Sequence, residues 1–180
     1  QQRIKKTGKV AFPYTSRDMS LYHAGVSLSR MDLKIGNRLG ENLLISAEKL
    51  ALIASVLGAE YPEKALDKAW RQLLCGQHHD SITGTHNEVS FVDLMTGYRE
   101  SAEMAAEIVR ASAAYIAGAV ASPGSAPVVL FNTHAFKRTG PAEVELVLED
   151  SFDRFIFTDG KGRKLPAQLL SSAKEDGKVR

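Results

Sequence analysis

The chain has 180 residues, of which 44% are hydrophobic, 24% charged and 7% aromatic, the composition of a globular protein and not of a disordered one. Twenty-three Lys and Arg against 21 Asp and Glu leave a formal charge of +2, which argues against a nucleic-acid or membrane-surface partner. The single cysteine, Cys75, excludes an internal disulfide framework and a multi-cysteine zinc site. No apolar run approaches the ~20 residues of a membrane span, and neither a signal-peptide core nor an Asn-x-Ser/Thr sequon occurs. The expectation is a soluble, cytoplasmic protein of bacterial type.

Residues 1–28 read as an irregular segment. Gln1-Gln2-Arg3-Ile4-Lys5-Lys6 has the look of a frayed terminus, and Pro13 disfavours helix at Phe12. Residues 29–122 then carry three helical patterns. Ser29 with Asp32 resembles a capping box, and Leu33, Leu39, Leu43, Leu44, Ala47, Leu50, Ala51, Ala54 and Leu57 form the apolar stripe of a helix of roughly seven turns ending near Gly58. Gly36 and Gly40 weaken that helix, so a neighbour is expected to pack closely there. A second helix opens at Pro62 with Leu66, Ala69, Trp70, Leu73, Leu74 and Gln77 on its stripe, and runs into Gln77-His78-His79-Asp80. A third spans Glu88 to Val120, with a seam at Phe91, Met95, Tyr98, Ala102, Ala105, Val109, Ser112, Ile116 and Val120.

Ser122-Pro123-Gly124-Ser125-Ala126-Pro127 is a linker, after which the period becomes two. Val128–Phe131 and the alternating Val144, Leu146 and Leu148 predict strands, and Asp159-Gly160-Lys161-Gly162 predicts a hairpin turn. The fold class is thus mainly α, a three-helix bundle followed over 127–180 by a partial antiparallel β-domain. Three or four strands with open edges are marginal alone, so the chain reads as a piece of something longer.

Histidines cluster only at His78, His79 and His86. His-His-Asp at a helix end has an ordinary reading, a cationic terminus favoured by the helix dipole. If the second helix continues that far, His79 points away from the core and His78 lies nearer the Leu74 edge, more buried. Cys75 and His79, four apart, would then share one face, a zinc half-site completed elsewhere. Cys75 also reads as a small buried residue of a domain interface. Trp70 reads as core, His86 as a supporting partner at most, and Tyr14, Tyr22 and His23 as part of a covering loop.

Gln77-His78-His79-Asp80-Ser81-Ile82-Thr83-Gly84-Thr85 resembles the Gln-His-His-Asp-Ala-Ile-Thr-Gly-Thr signature of glycoside hydrolase family 38, the zinc-dependent α-mannosidases. Ser29-Arg30, Leu33-Lys34, Asn37-Arg38 and Ala47-Glu48-Lys49-Leu50 resemble the helix that precedes it in that family. Val128-Val129-Leu130-Phe131-Asn132 with Arg138, and Asp159-Gly160 through Pro166 and Gln168, resemble the opening of its C-terminal β-domain. The resemblance implies a retaining enzyme in which a barrel supplies nucleophile, general acid and three zinc ligands. The bundle supplies the fourth ligand, which maps onto His79, and a contact to sugar hydroxyls, which maps onto Asp80. The implied cofactor is one zinc ion, and the implied partners are a mannose-containing oligosaccharide or glycoside together with the barrel and β-domains of the same enzyme. No segment of the 180 residues resembles the barrel, so neither catalytic carboxylate has a candidate here and the chain alone is expected to be inactive. The other reading is a helical protein-interaction module without catalytic activity.

Overall fold

A computed structural model describes residues 24–122, 126–149, 156–175 and 178–179. Most of the irregular 1–28 segment, with Tyr14, Tyr22 and His23, and part of the linker lie outside the described residues. A 3-10 turn, Ala24–Ser27, leads into α1 (Met31–Val56), α2 (Glu63–Gly76), the single turn α3 (His79–Ile82) and α4 (Glu88–Gly118). Five strands follow: β1 (Leu148–Glu149), β2 (Phe157–Thr158), β3 (Lys164–Leu165), β4 (Lys174–Glu175) and β5 (Lys178–Val179).

The three long helices form the expected bundle. Helix α4 packs along both α1 and α2, which meet each other more narrowly. The main core joins Leu33, Leu44, Ala47 and Ala51 of α1, Leu66, Ala69 and Leu73 of α2, and Tyr98, Ala105 and Ile108 of α4. A smaller cluster of Leu50, Ala54 and Ile116 closes the far end. Each fully buried leucine here contributes about 1.5–3 kcal/mol of apolar burial. Small residues let the helices approach. A Cβ on Gly40 would lie 2.7 Å from Leu73 Cδ1, and one on Gly76 would lie 2.4 Å from Tyr98 Cε1. The close approach expected at Gly36 and Gly40 is therefore present, with Tyr98 and Leu73 as the neighbours.

Helix boundaries differ from the sequence reading where side chains act elsewhere. The Ser29–Asp32 capping box does not form: the cap position is Arg30, with no side-chain cap bond. Asp32 accepts instead from the adjacent Leu33 N at 2.9 Å. Pro62 precedes the first residue of α2 instead of opening it. Asn87 caps α4, its Oδ1 accepting from Ser90 N at 2.9 Å. Leu39, Leu57, Leu74 and Val120 are exposed, not on the buried stripes, whereas Gly76, Ser101 and Ile108 are buried. Ser101 is satisfied there, donating to Ala69 O at 2.8 Å. Trp70 packs half-buried against the core, its Nε1 donating to Glu48 Oε1 at 2.9 Å.

Beyond the linker, the predicted hairpin forms. Strands β2 and β3 pair antiparallel, with Phe157 opposite Leu165. The Asp159 carboxylate ties the turn, accepting from Lys161 N and Arg163 N at 2.9 Å and pairing with the Arg163 side chain. Backbone and side-chain donors of Arg163 hold that carboxyl below its ordinary range. The second sheet has the order β1-β5-β4, all antiparallel, with Leu148 opposite Val179. Val128–Phe131, Val144 and Leu146 are not in strands. Alternation alone does not make a strand, because its backbone groups need a neighbouring strand to pair with. This segment instead touches the bundle through Thr133, whose O accepts from Lys49 Nζ at 2.7 Å and whose hydroxyl lies 3.0 Å from Ser46 Oγ.

Candidate metal half-site at the end of the second helix

Helix α2 stops at Gly76, one residue short of the signature. Glycine is a weak helix former, and at this position Tyr98 leaves no room for a side chain. Gln77 then anchors the loop to α1, its Nε2 donating to Asn37 Oδ1 at 2.9 Å and Glu41 Oε1 at 2.8 Å. His78 turns extended (φ −52, ψ 141) and begins a new helical turn, its Nδ1 accepting from Asp80 N at 3.3 Å. Its carbonyl accepts from Ser81 N at 2.8 Å and Ile82 N at 2.9 Å.

Of the helix-phase expectations made from the sequence, only the outward position of His79 is met. His78 is exposed, not buried beside Leu74, and both imidazoles reach solvent with ring centroids 4.2 Å apart. Cys75 and His79 do not share a helical face, because α2 ends between them, and Cys75 is exposed, not buried. The two rings are not equivalent. His78 Nδ1 is engaged by backbone, whereas His79 Nε2 faces Asp80 Oδ2 at 3.3 Å. The His79 side chain is 79% exposed and that of Asp80 69%.

His78, His79 and Asp80 each offer a ligand atom, all within 4.8 Å of one another. Imidazole nitrogen and carboxylate oxygen suit zinc, and two ligands of a tetrahedral site with ~2.1 Å bonds stand about 3.4 Å apart. The residues therefore fit a zinc ion as part of its shell. The geometry also fits a solvated His–Asp ion pair. Three ligand atoms on one exposed turn do not close a tetrahedral structural site, so a zinc here needs groups from elsewhere.

Hydroxyls hold the rest of the signature. Thr83 Oγ1 donates to His79 O, and Thr85 Oγ1 donates to Asp80 O at 3.1 Å. Gly84 takes φ +79, a left-handed conformation suited to glycine. His86 stacks on Phe91 at 6.1 Å, and its Nε2 is enclosed without a partner among the described residues. Asn37 and Glu41, which hold Gln77, were not singled out as site residues from sequence. Their spacing of four, on the side of α1 facing α2, is the signal that marks them.

The α-mannosidase middle domain family matches residues 21–116, more than half of the chain. The chain belongs to this family. Among curated relatives it is 32% identical over 119 residues to α-mannosidase 2C1 of Mus musculus, covering 65% of this chain and 11% of that protein. To α-mannosidase 2C1 of Homo sapiens it is 30% identical over 118 residues, 64% of this chain and 11% of that protein. To α-mannosidase G of Dictyostelium discoideum it is 28% identical over 96 residues, 53% of this chain and 9% of that protein. The chain thus spans about a tenth of the length of these relatives. No solved structure matches it at the same stringency. The resemblance drawn from the signature is borne out at the level of the family, and no described helix is long and apolar enough to cross a membrane.

Proposed function

We propose that this chain is the helical middle part, with the start of the C-terminal β-sandwich, of a zinc-dependent retaining α-mannosidase that removes terminal α-mannosyl residues. The bundle occupies 29–122 and the β-domain begins at 127. The carrying observation is the turn at His79 and Asp80. Both side chains stand side by side in solvent, on a backbone pinned by Gln77, Thr83 and Thr85. His79 is assigned as a zinc ligand and Asp80 as a contact to sugar hydroxyls. The bound zinc supplies a Lewis-acidic grip on the sugar's ring hydroxyls. The two carboxylates of retaining chemistry, about 5 Å apart, belong to the barrel that completes the site. A cytoplasmic location is part of the same proposal, supported by the lone cysteine and the lack of sequons.

The test is release of the chromophore from a chromogenic α-mannoside by the full-length polypeptide carrying these residues. Activity that is lost with a chelator and restored by zinc supports the reading. His79→Ala should strip the metal, read by elemental analysis, and unchanged zinc content would overturn the ligand assignment. Residues 1–180 alone should release nothing. Full-length protein that releases no mannose from any α-mannoside but captures a protein partner would favour the interaction-module reading.

A further inference from the structure

Ser29 and Arg30 precede α1, yet their side chains work on the signature loop more than fifty residues away. Ser29 Oγ donates to Thr83 O at 2.6 Å. Thr83 in turn donates its hydroxyl to His79 O. Two hydroxyl-to-carbonyl hydrogen bonds thus form a relay through Thr83 from Ser29 to the backbone of His79. Arg30 packs against the same loop beside Ser29. Its guanidinium lies 4.0 Å from the Phe91 ring centroid and pairs with Glu88 at the start of α4. A Cβ added to Gly84 would stand 2.7 Å from Arg30 Cγ and 3.0 Å from Arg30 Cβ, so the loop backbone rests directly on this side chain.

Arg30 holds φ 47, ψ 60, and among the described residues no other non-glycine has a positive φ. Such a conformation is unfavourable for a residue with a Cβ and persists only where the surroundings over-determine it. At this left-handed position Arg30 makes no side-chain cap to α1. What the left-handed turn does achieve is to send consecutive side chains to Thr83 and to Gly84, Glu88 and Phe91.

We propose that Ser29 and Arg30 are positioning residues of the half-site, a two-residue clamp that sets the placement of His79 and Asp80 relative to the bundle. The clamp rests on the reading of His79 as a zinc ligand. Neither residue touches metal or substrate; both act through the loop backbone. Residues that orient metal ligands through hydrogen bonds typically change metal affinity 10–100-fold when removed.

The experiment measures zinc affinity of the full-length enzyme by chelator competition, beside its thermal midpoint. Ser29→Ala should weaken zinc about tenfold, the lower end of that range because the relay passes through Thr83. Ser29→Thr, which keeps the hydroxyl, should restore it. Arg30→Gly removes the guanidinium while leaving a residue that adopts the left-handed turn freely. It should also weaken zinc about tenfold with little change in thermal midpoint, and it decides the matter should Ser29→Ala fail to fold. Zinc affinity unchanged in these variants, alongside loss in His79→Ala, overturns the clamp and leaves the ligand assignment standing. A lowered midpoint with unchanged affinity overturns it equally, since that is a purely structural role. Zinc retained by His79→Ala overturns the ligand assignment and the clamp together.

Discussion

The helical bundle and the strands beyond the linker solve the same problem, hiding apolar side chains, with opposite success. Leu33, Leu44 and Leu73 of the bundle are fully buried, while Leu130, Phe136, Leu169 and Leu170 of the β-region are all at least 60% exposed. A helix satisfies its own backbone hydrogen bonds, so three amphipathic helices need only lay their apolar stripes together. A strand must borrow its partners, and the strands described here are two residues long. The bundle therefore holds the buried core, whereas among the described residues beyond the linker no large apolar side chain is fully buried.

The contrast predicts where substitutions hurt. Leu73→Ala should cost about 2–5 kcal/mol, read by chemical denaturation, and Leu170→Ala should stay within about 0.5 kcal/mol. Equal losses at both positions would erase the distinction between the regions. Gly76→Ala drives a methyl group against the Tyr98 ring and should cost about 1–3 kcal/mol, with the signature loop losing amide protection alongside the bundle. A neutral Gly76→Ala would show that the helices can separate without cost.

Tyr98 gives a pH-dependent version of the same test. Burial first, then the nearby Glu41, pushes its phenol up to about 12 from an ordinary 10.0. The neutral phenol is the form the folded bundle holds, so its stabilising contribution is complete below pH 10 and is lost as pH rises from about 10 through 12. Tyr98→Phe should flatten that alkaline loss. It should leave neutral-pH stability nearly unchanged, because the Tyr98 hydroxyl is buried without a partner among the described residues. A steeper alkaline loss in the variant would contradict the assignment to Tyr98. The smallest effect is expected in the hairpin. Asp159→Ala should abolish exchange protection of Lys161 and Arg163 amides while leaving the bundle's thermal midpoint in place.

Much of this molecule was legible in its residues. The apolar periods located three helices to within a few positions, and Gly36 and Gly40 announced close packing before Leu73 and Tyr98 were seen to provide it. The nine-residue signature was enough to indicate the family. The orientation of His78 was not legible, because extrapolating the phase of α2 assumed a helix that ends at Gly76. Ser29 read as a cap from its neighbours in sequence, whereas its bond runs to Thr83. Local pattern cannot distinguish a hydroxyl that closes its own helix from one that crosses to another element.

Sequence by itself determined the bundle, the hairpin turn and the identity of the groups that can bind a metal. Each depends on short-range physics: helical period, turn chemistry at Asp159-Gly160, and the donor atoms of His and Asp. Tertiary structure alone decided where α2 stops and which residues carry the loop. Those outcomes hinge on contacts between residues far apart in the chain, Gly76 against Tyr98, Gln77 against Asn37 and Glu41, Ser29 against Thr83. Steric exclusion and hydrogen bonding act on distance in space, which the order of residues along the chain does not state.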